Sequence, residues 1–152
     1  MRKILFRGKI NNMSKGNAWY EGYIAFPSDN EAIIIYDATD EDGWEYVFPE
    51  TIGQHIGYTD FHNQKIFDGD IIEFTLGNER KERYLIWYNK EICSIVDVQV
   101  DGIRFNGNDY WNPKFANNNW SEFCLMLQNI YGYFSDIKVI GNIYDNPELI
   151  SG

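Results

Sequence analysis

Histidine, cysteine and positive charge are all scarce in this chain of 152 residues, and each shortage narrows the functions open to it. Two histidines, His55 and His62, cannot build a metal site alone and would need carboxylates such as Asp60 or Asp68 beside them. Two cysteines are too few for a disulfide scaffold. Cys93 and Cys124 lie in the apolar segments Ile92-Cys93-Ser94-Ile95 and Phe123-Cys124-Leu125, and both read as buried free thiols. With 13 Lys plus Arg against 23 Asp plus Glu, the net charge of -10 repels a phosphate backbone unless positive charge is locally concentrated. The densest basic run, Arg80-Lys81-Glu82-Arg83, has a glutamate inside it and Glu79 before it, and reads as a solvated strand edge or loop. No apolar run approaches the ~20 residues that span a bilayer. Near the amino end, Arg7 and Lys9 interrupt the apolar stretch early, so an export signal is not expected and the cytoplasm is the expected compartment.

What the chain does have is aromatic and β-branched residues in short runs. Hydrophobic residues make up 44% and aromatics 17%, enough for a real core, so disorder is excluded over most of the length. Period-two patterning predicts strands at Lys3–Lys9, Trp19–Phe26, Ala32–Tyr36, Trp44–Phe48, Ile71–Leu76, Arg83–Tyr88, Ile92–Val100 and Ile137–Ile143. Pro27-Ser28-Asp29-Asn30 should break the second of these. Asp42-Gly43 is a hairpin signal of the kind that calls for positive φ. The acidic cluster Asp37, Asp40, Glu41 and Asp42 lacks the alternating ligands, central glycine and distal glutamate of a calcium loop. One amphipathic helix is expected near residues 120–131, capped by Asn119 with Glu122 three residues on. The fold class is therefore mainly β with that one helix, and Gly69-Asp70 before Ile71-Ile72-Glu73-Phe74 is similar to what small SH3-like barrels carry. The whole chain, 1–152, is expected to form one unit, with an alternative division into two β subdomains meeting near residues 76–83.

The centre, Thr51 to Phe74, speaks about architecture. Asp68 and Asp70 flank Gly69, which should bend the chain into the strand that follows while the two carboxylates bond turn amides. The same carboxylates with His55 and His62 are the only polar cluster that could serve a small-molecule enzyme. A triad of Asp60, His62 and a serine lacks a nucleophile elbow, and Gly53 and Gly57 lack the Lys-Ser or Lys-Thr of a phosphate loop. No catalytic set, metal site or cofactor emerges. The Asn-rich segment 106–119, with Tyr110, Trp111 and Phe115, is ordered by its own rings or used by a partner.

Three places carry a resemblance to a known family. They are the opening Met1-Arg2-Lys3-Ile4-Leu5-Phe6-Arg7-Gly8, the centre from Ile56-Gly57-Tyr58 through Asn63-Gln64-Lys65-Ile66-Phe67-Asp68-Gly69-Asp70-Ile71-Ile72, and the close Val139-Ile140-Gly141-Asn142-Ile143-Tyr144-Asp145-Asn146-Pro147-Glu148-Leu149. The chain resembles YopX family proteins, small proteins of bacteriophages and prophage regions. It departs from the family's usual centre at Ile56-Gly57-Tyr58, Asn63-Gln64 and Phe67-Asp68, changes that keep turn and strand chemistry. The resemblance implies a mostly β fold built from small barrel-like parts, SH3-like or YopX-like, and an origin in phage or integrated phage DNA, and it brings no catalytic residues. On these readings the expected function is that of a non-enzymatic phage or prophage accessory protein in a bacterial host. It would bind a phage or host protein or assemble with copies of itself as a homo-oligomer. Trp44, Tyr110, Trp111 and Phe115 are the candidate contacts. The alternatives are a nucleic-acid-associated β module using Arg80, Lys81 and Arg83, and an enzyme at His55, His62, Asp68 and Asp70.

Overall fold

The computed structural model describes residues 3–77, 79–90, 93–113 and 134–150. The chain forms two compact units, Met1–His55 and Ile56–Gly152. Strands on both sides of residues 76–83 are hydrogen-bonded neighbours inside the second unit. The architecture is mainly β and the sheets are antiparallel. The expected barrel-like parts are open sheets, and no barrel closes among the described residues. The helix expected near 120–131 lies outside the described residues, as does Cys124, while Cys93, expected to be buried, is exposed in the turn before the strand that starts at Ser94. No described helix is long and apolar enough to cross a membrane.

In the first unit, β1 (Phe6–Lys9), β2 (Trp19–Ser28), β3 (Glu31–Ile35) and β4 (Trp44–Val47) form consecutive antiparallel pairs. β-Branched and aromatic residues dominate β2 and β3, as suits a pleated, half-buried surface. Pro27 does not end β2. Having no N–H to give the ladder, it sits instead where the β2–β3 register shifts, between Ala25 and Ser28. The turn between β3 and β4 also differs from expectation. Gly43 is absent from the glycines with positive φ, and it is required for space, since a Cβ there would lie 2.0 Å from the Asp37 carbonyl oxygen. Asp37 and Asp40 shape this turn by accepting bonds from the Thr39 and Asp42 amides at 2.9 and 3.0 Å.

Past β1 the chain curls toward β4. Phe48 N donates to Lys9 O and Asn11 N donates to Tyr46 O, both at 2.9 Å, and Ile10 bridges Val47. Inside the curl lies one apolar cluster, Ala32, Ile34 and Val47, with Phe6, Tyr20, Ile24 and Ile52 packed on it. The next strand, β5 (Gly53–Thr59), begins in this unit, where Gly53 and Gln54 pair with Arg7 and Phe6.

In the second unit β5 continues beside β6 (Lys65–Phe67). A four-stranded sheet follows in the order β12 (Phe134–Asn142), β7 (Asp70–Leu76), β8 (Lys81–Asn89) and β9 (Ser94–Gln99). Its Ile71-Ile72-Glu73-Phe74 centre is buried on both faces. One face joins Ile72, Phe74 and Ile86 with Ile56, Ile66 and Ile137; the other joins Ile71, Leu85, Val96 and Val98. A near-continuous apolar run is what burial on both sides demands of a strand. A short hairpin of β10 (Arg104–Phe105) and β11 (Tyr110–Trp111) completes the described strands.

A candidate interaction surface

Period-two alternation gives the first unit's sheet two unlike faces. Ala32, Ile34 and Val47 point into the curl. Their neighbours along the strands point out, and the register sets them in two rows, Tyr23, Ile35 and Trp44, then Ala25, Ile33 and Tyr46. Tyr23, Trp44 and Tyr46 are 48%, 40% and 41% exposed, while the isoleucines between them are half-buried. Trp44 and Tyr46 are held in place. The Trp44 indole N–H donates to Glu41 O at 2.9 Å, and the Trp44 and Tyr46 rings meet edge to face with centroids 5.4 Å apart. Exposed apolar side chains gathered on one face make it a candidate for interaction, whereas singly scattered ones are ordinary. Sequence reading had singled out Trp44 alone. Its period-two partner Tyr46 was visible in the sequence, but Tyr23 enters only through strand pairing.

The other ring residues singled out belong to the second unit. Tyr110 packs edge to face on Trp87 at 4.9 Å and lies 4.6 Å from the Phe105 ring. Burial raises its phenol pKa. Tyr110 thus anchors its hairpin on the sheet. Trp111 is 40% exposed with the Arg104 guanidinium 5.9 Å above it. Phe115 lies outside the described residues. The segment expected to be loop is, up to residue 111, a hairpin whose turn is held by the Asn106 carboxamide oxygen. That oxygen accepts from the Asn108 and Asp109 amides at 2.9 and 2.8 Å.

The polar centre is occupied by backbone bonding. Gly69 takes φ +90°, with its N–H donating to Ile86 O at 2.7 Å and its carbonyl accepting from Ile143 N at 3.0 Å. The Tyr144 ring would stand 3.1 Å from a Cβ there. Asp70 is fully buried and accepts from Phe67 N at 2.8 Å, and Asp68 accepts from Tyr88 N at 3.0 Å. Asp60, 6% exposed, is a knot that sequence reading missed. One carboxylate oxygen accepts from the His62 and Gln64 amides at 2.8 and 2.9 Å, the other from Val139 N at 3.0 Å. His62 is exposed on this turn and His55 is half-buried in β5, in the other unit. Among the described residues no group of three or more His, Cys, Asp or Glu is placed to hold a metal.

The basic run 80–83 lines an open groove of about 900 Å³, with Gln99, Asp101 and Glu148 among the other walls. Its cations face carboxylates. Glu73, on the central strand β7, lies opposite Arg83 on β8 and Lys138 on β12, with Arg83 Nε at 3.0 Å and the Lys81 and Lys138 ammonium groups at 3.4 and 3.5 Å. Arg80 pairs with Glu82. Burial pushes the Glu73 carboxyl pKa up, but the Arg83 hydrogen bond and the nearby Lys81 charge outweigh it and leave the group below its ordinary value. The Tyr84 phenol donates to Glu82 at 3.1 Å, and burial followed by the Glu82 charge raises its pKa.

No curated protein matches this chain. Residues 6–151, nearly its whole length, match the family model of the YopX protein, and the chain therefore belongs to the YopX family.

Proposed function

We propose that this chain is a phage or prophage accessory protein that acts by binding another protein through the outer face of its first sheet. The observation that carries the reading is the pair of rows across β2, β3 and β4, in which three solvent-exposed rings share one face with half-buried isoleucines. Rigid aromatic rings with little conformational entropy to lose are the usual anchors of protein interfaces. Membership in the YopX family fits an accessory role. Two further observations favour protein binding over the alternatives. Asp60, Asp68 and Asp70 accept bonds from backbone amides, which ties them to architecture. Lys81, Arg83 and Lys138 face Glu73 and Arg80 pairs with Glu82, and the groove they line also holds Asp101 and Glu148, so carboxylates stand against the charge a phosphate backbone would need.

The test uses the tagged full chain to capture proteins from infected host cells. Each captured protein is then purified and titrated against the wild type and against Tyr23→Ser with Trp44→Ser. A partner bound at least about tenfold more weakly by the variant supports the reading. Sedimentation over a concentration series tests the same face for self-association. Partners that bind both forms alike, with a monomeric chain, overturn it.

A further inference from the structure

We propose that this outer face takes an arginine-rich segment of its partner, with guanidinium groups stacked on Tyr23, Trp44 and Tyr46 and held by the acidic turns at the two ends of the sheet. The inference rests on the protein-binding reading above and names the partner's chemistry.

Charge is the first argument. From Gly16 to His55 the sequence contains no lysine or arginine and nine aspartates and glutamates. The strands that carry the rings all fall in this stretch. Their connections place Asp29 and Glu31 at one end of the ring rows and Glu41 and Asp42 at the other, all exposed. A second copy would bring like charges together, whereas a basic segment is attracted to the acidic turns at both ends of the ring rows.

Geometry is the second argument. The same face of β2 that presents Tyr23 also presents Trp19 and Glu21, and there the chain's own Arg7 lies directly opposite Glu21 with its guanidinium 4.7 Å from the centre of the Trp19 ring. An arginine over a ring, with a glutamate opposite it in register, is thus an arrangement that this sheet face already holds, there with the arginine buried. Trp44 and Glu41 or Asp42 repeat the ingredients further along, with the indole fixed by its bond to Glu41 O. Rings two strands apart, as Tyr23 and Trp44 are, stand about 10 Å from each other, within reach of successive arginines of an extended peptide. A guanidinium is planar, weakly hydrated and stacks on rings, so these features select arginine over lysine.

Fluorescence anisotropy with the full chain tests this, using labelled twelve-residue peptides that alternate serine with arginine, with lysine or with glutamate. The arginine peptide should bind about three- to fivefold more tightly than the lysine peptide, and the glutamate peptide should not bind. In Trp44→Leu with Tyr46→Leu the arginine advantage should vanish. In Glu41→Gln with Asp42→Asn both basic peptides should weaken together. Near-ultraviolet circular dichroism and thermal melting establish that each variant is folded. Equal binding of the arginine and lysine peptides, an arginine advantage that survives loss of the rings, or no binding at all overturns the inference. A captured partner that needs Trp44 yet has no basic segment would also overturn it while leaving the protein-binding function standing.

Discussion

The two main sheets solve the same problem in opposite ways. In the first unit the sheet buries one face around Ala32, Ile34 and Val47 and turns Tyr23, Trp44 and Tyr46 to solvent on the other. In the second unit the β7–β8 sheet carries buried clusters on both faces, and Glu73 is gathered with Arg83, Lys81 and Lys138 in a row across the strands. The first face is bordered by exposed acids on its turns, whereas the second unit holds Asp60 and Asp70 inside as acceptors for amides. A sheet buried on both sides is scaffold. A sheet buried on one side keeps a face open to solvent.

Substitutions can break or sharpen this contrast. The largest effect is expected at Phe74, 1% exposed and stacked on Tyr84 at 5.3 Å, where Phe74→Ala should cost about 3–5 kcal/mol in urea unfolding. Asp60→Ala should follow at about 2–3 kcal/mol, because three part-buried hydrogen bonds to one carboxylate are lost at once. Gly69→Ala should lose about 1–2 kcal/mol, since φ +90° disfavours a side chain and the Tyr144 ring must shift. An unchanged midpoint for either of the last two would show that the turn tolerates what its geometry forbids.

Glu73→Gln should cost about 1 kcal/mol at neutral pH, as its cationic partners are themselves partly exposed and can be hydrated. The folded pKa lies below the ordinary 4.5, so the carboxylate's contribution is complete above that value and fades as pH falls through the folded one. The stability gap between wild type and variant should therefore narrow in acid, and a gap that widens would contradict the ion-pair account. The smallest effect on stability is expected on the open face. Trp44→Leu should change the unfolding free energy by about 0.5 kcal/mol or less while weakening partner binding. A loss comparable to that at Phe74 would make Trp44 a core residue and remove the contrast.

Local patterns made much of the fold legible. Trp44-Glu45-Tyr46-Val47 alternates as a one-sided strand must, and Ile71-Ile72-Glu73-Phe74 runs nearly unbroken as a two-sided strand must. The same patterns placed a turn at Gly43 but on the ground of positive φ, whereas the requirement is room for a distant carbonyl, and they expected a break at Pro27, which the strand accommodates at a register shift. The candidate surface was half legible. Trp44 stood out by its chemistry, but whether a ring on a strand points into a core or out to a partner depends on which face the other strands cover.

The sequence by itself determined the β class, the family, the acidic character and the places where strands begin and turn, because these follow from side-chain alternation, backbone freedom and charge within a few neighbouring residues. Only the tertiary structure decided that Tyr23 joins Trp44 in one row, that Glu73 meets Arg83 and Lys138, and that Asp60 holds the Val139 amide 79 residues away. Those are matters of register between strands distant in the chain. A shift of one residue would send the strand side chains among these to the opposite face.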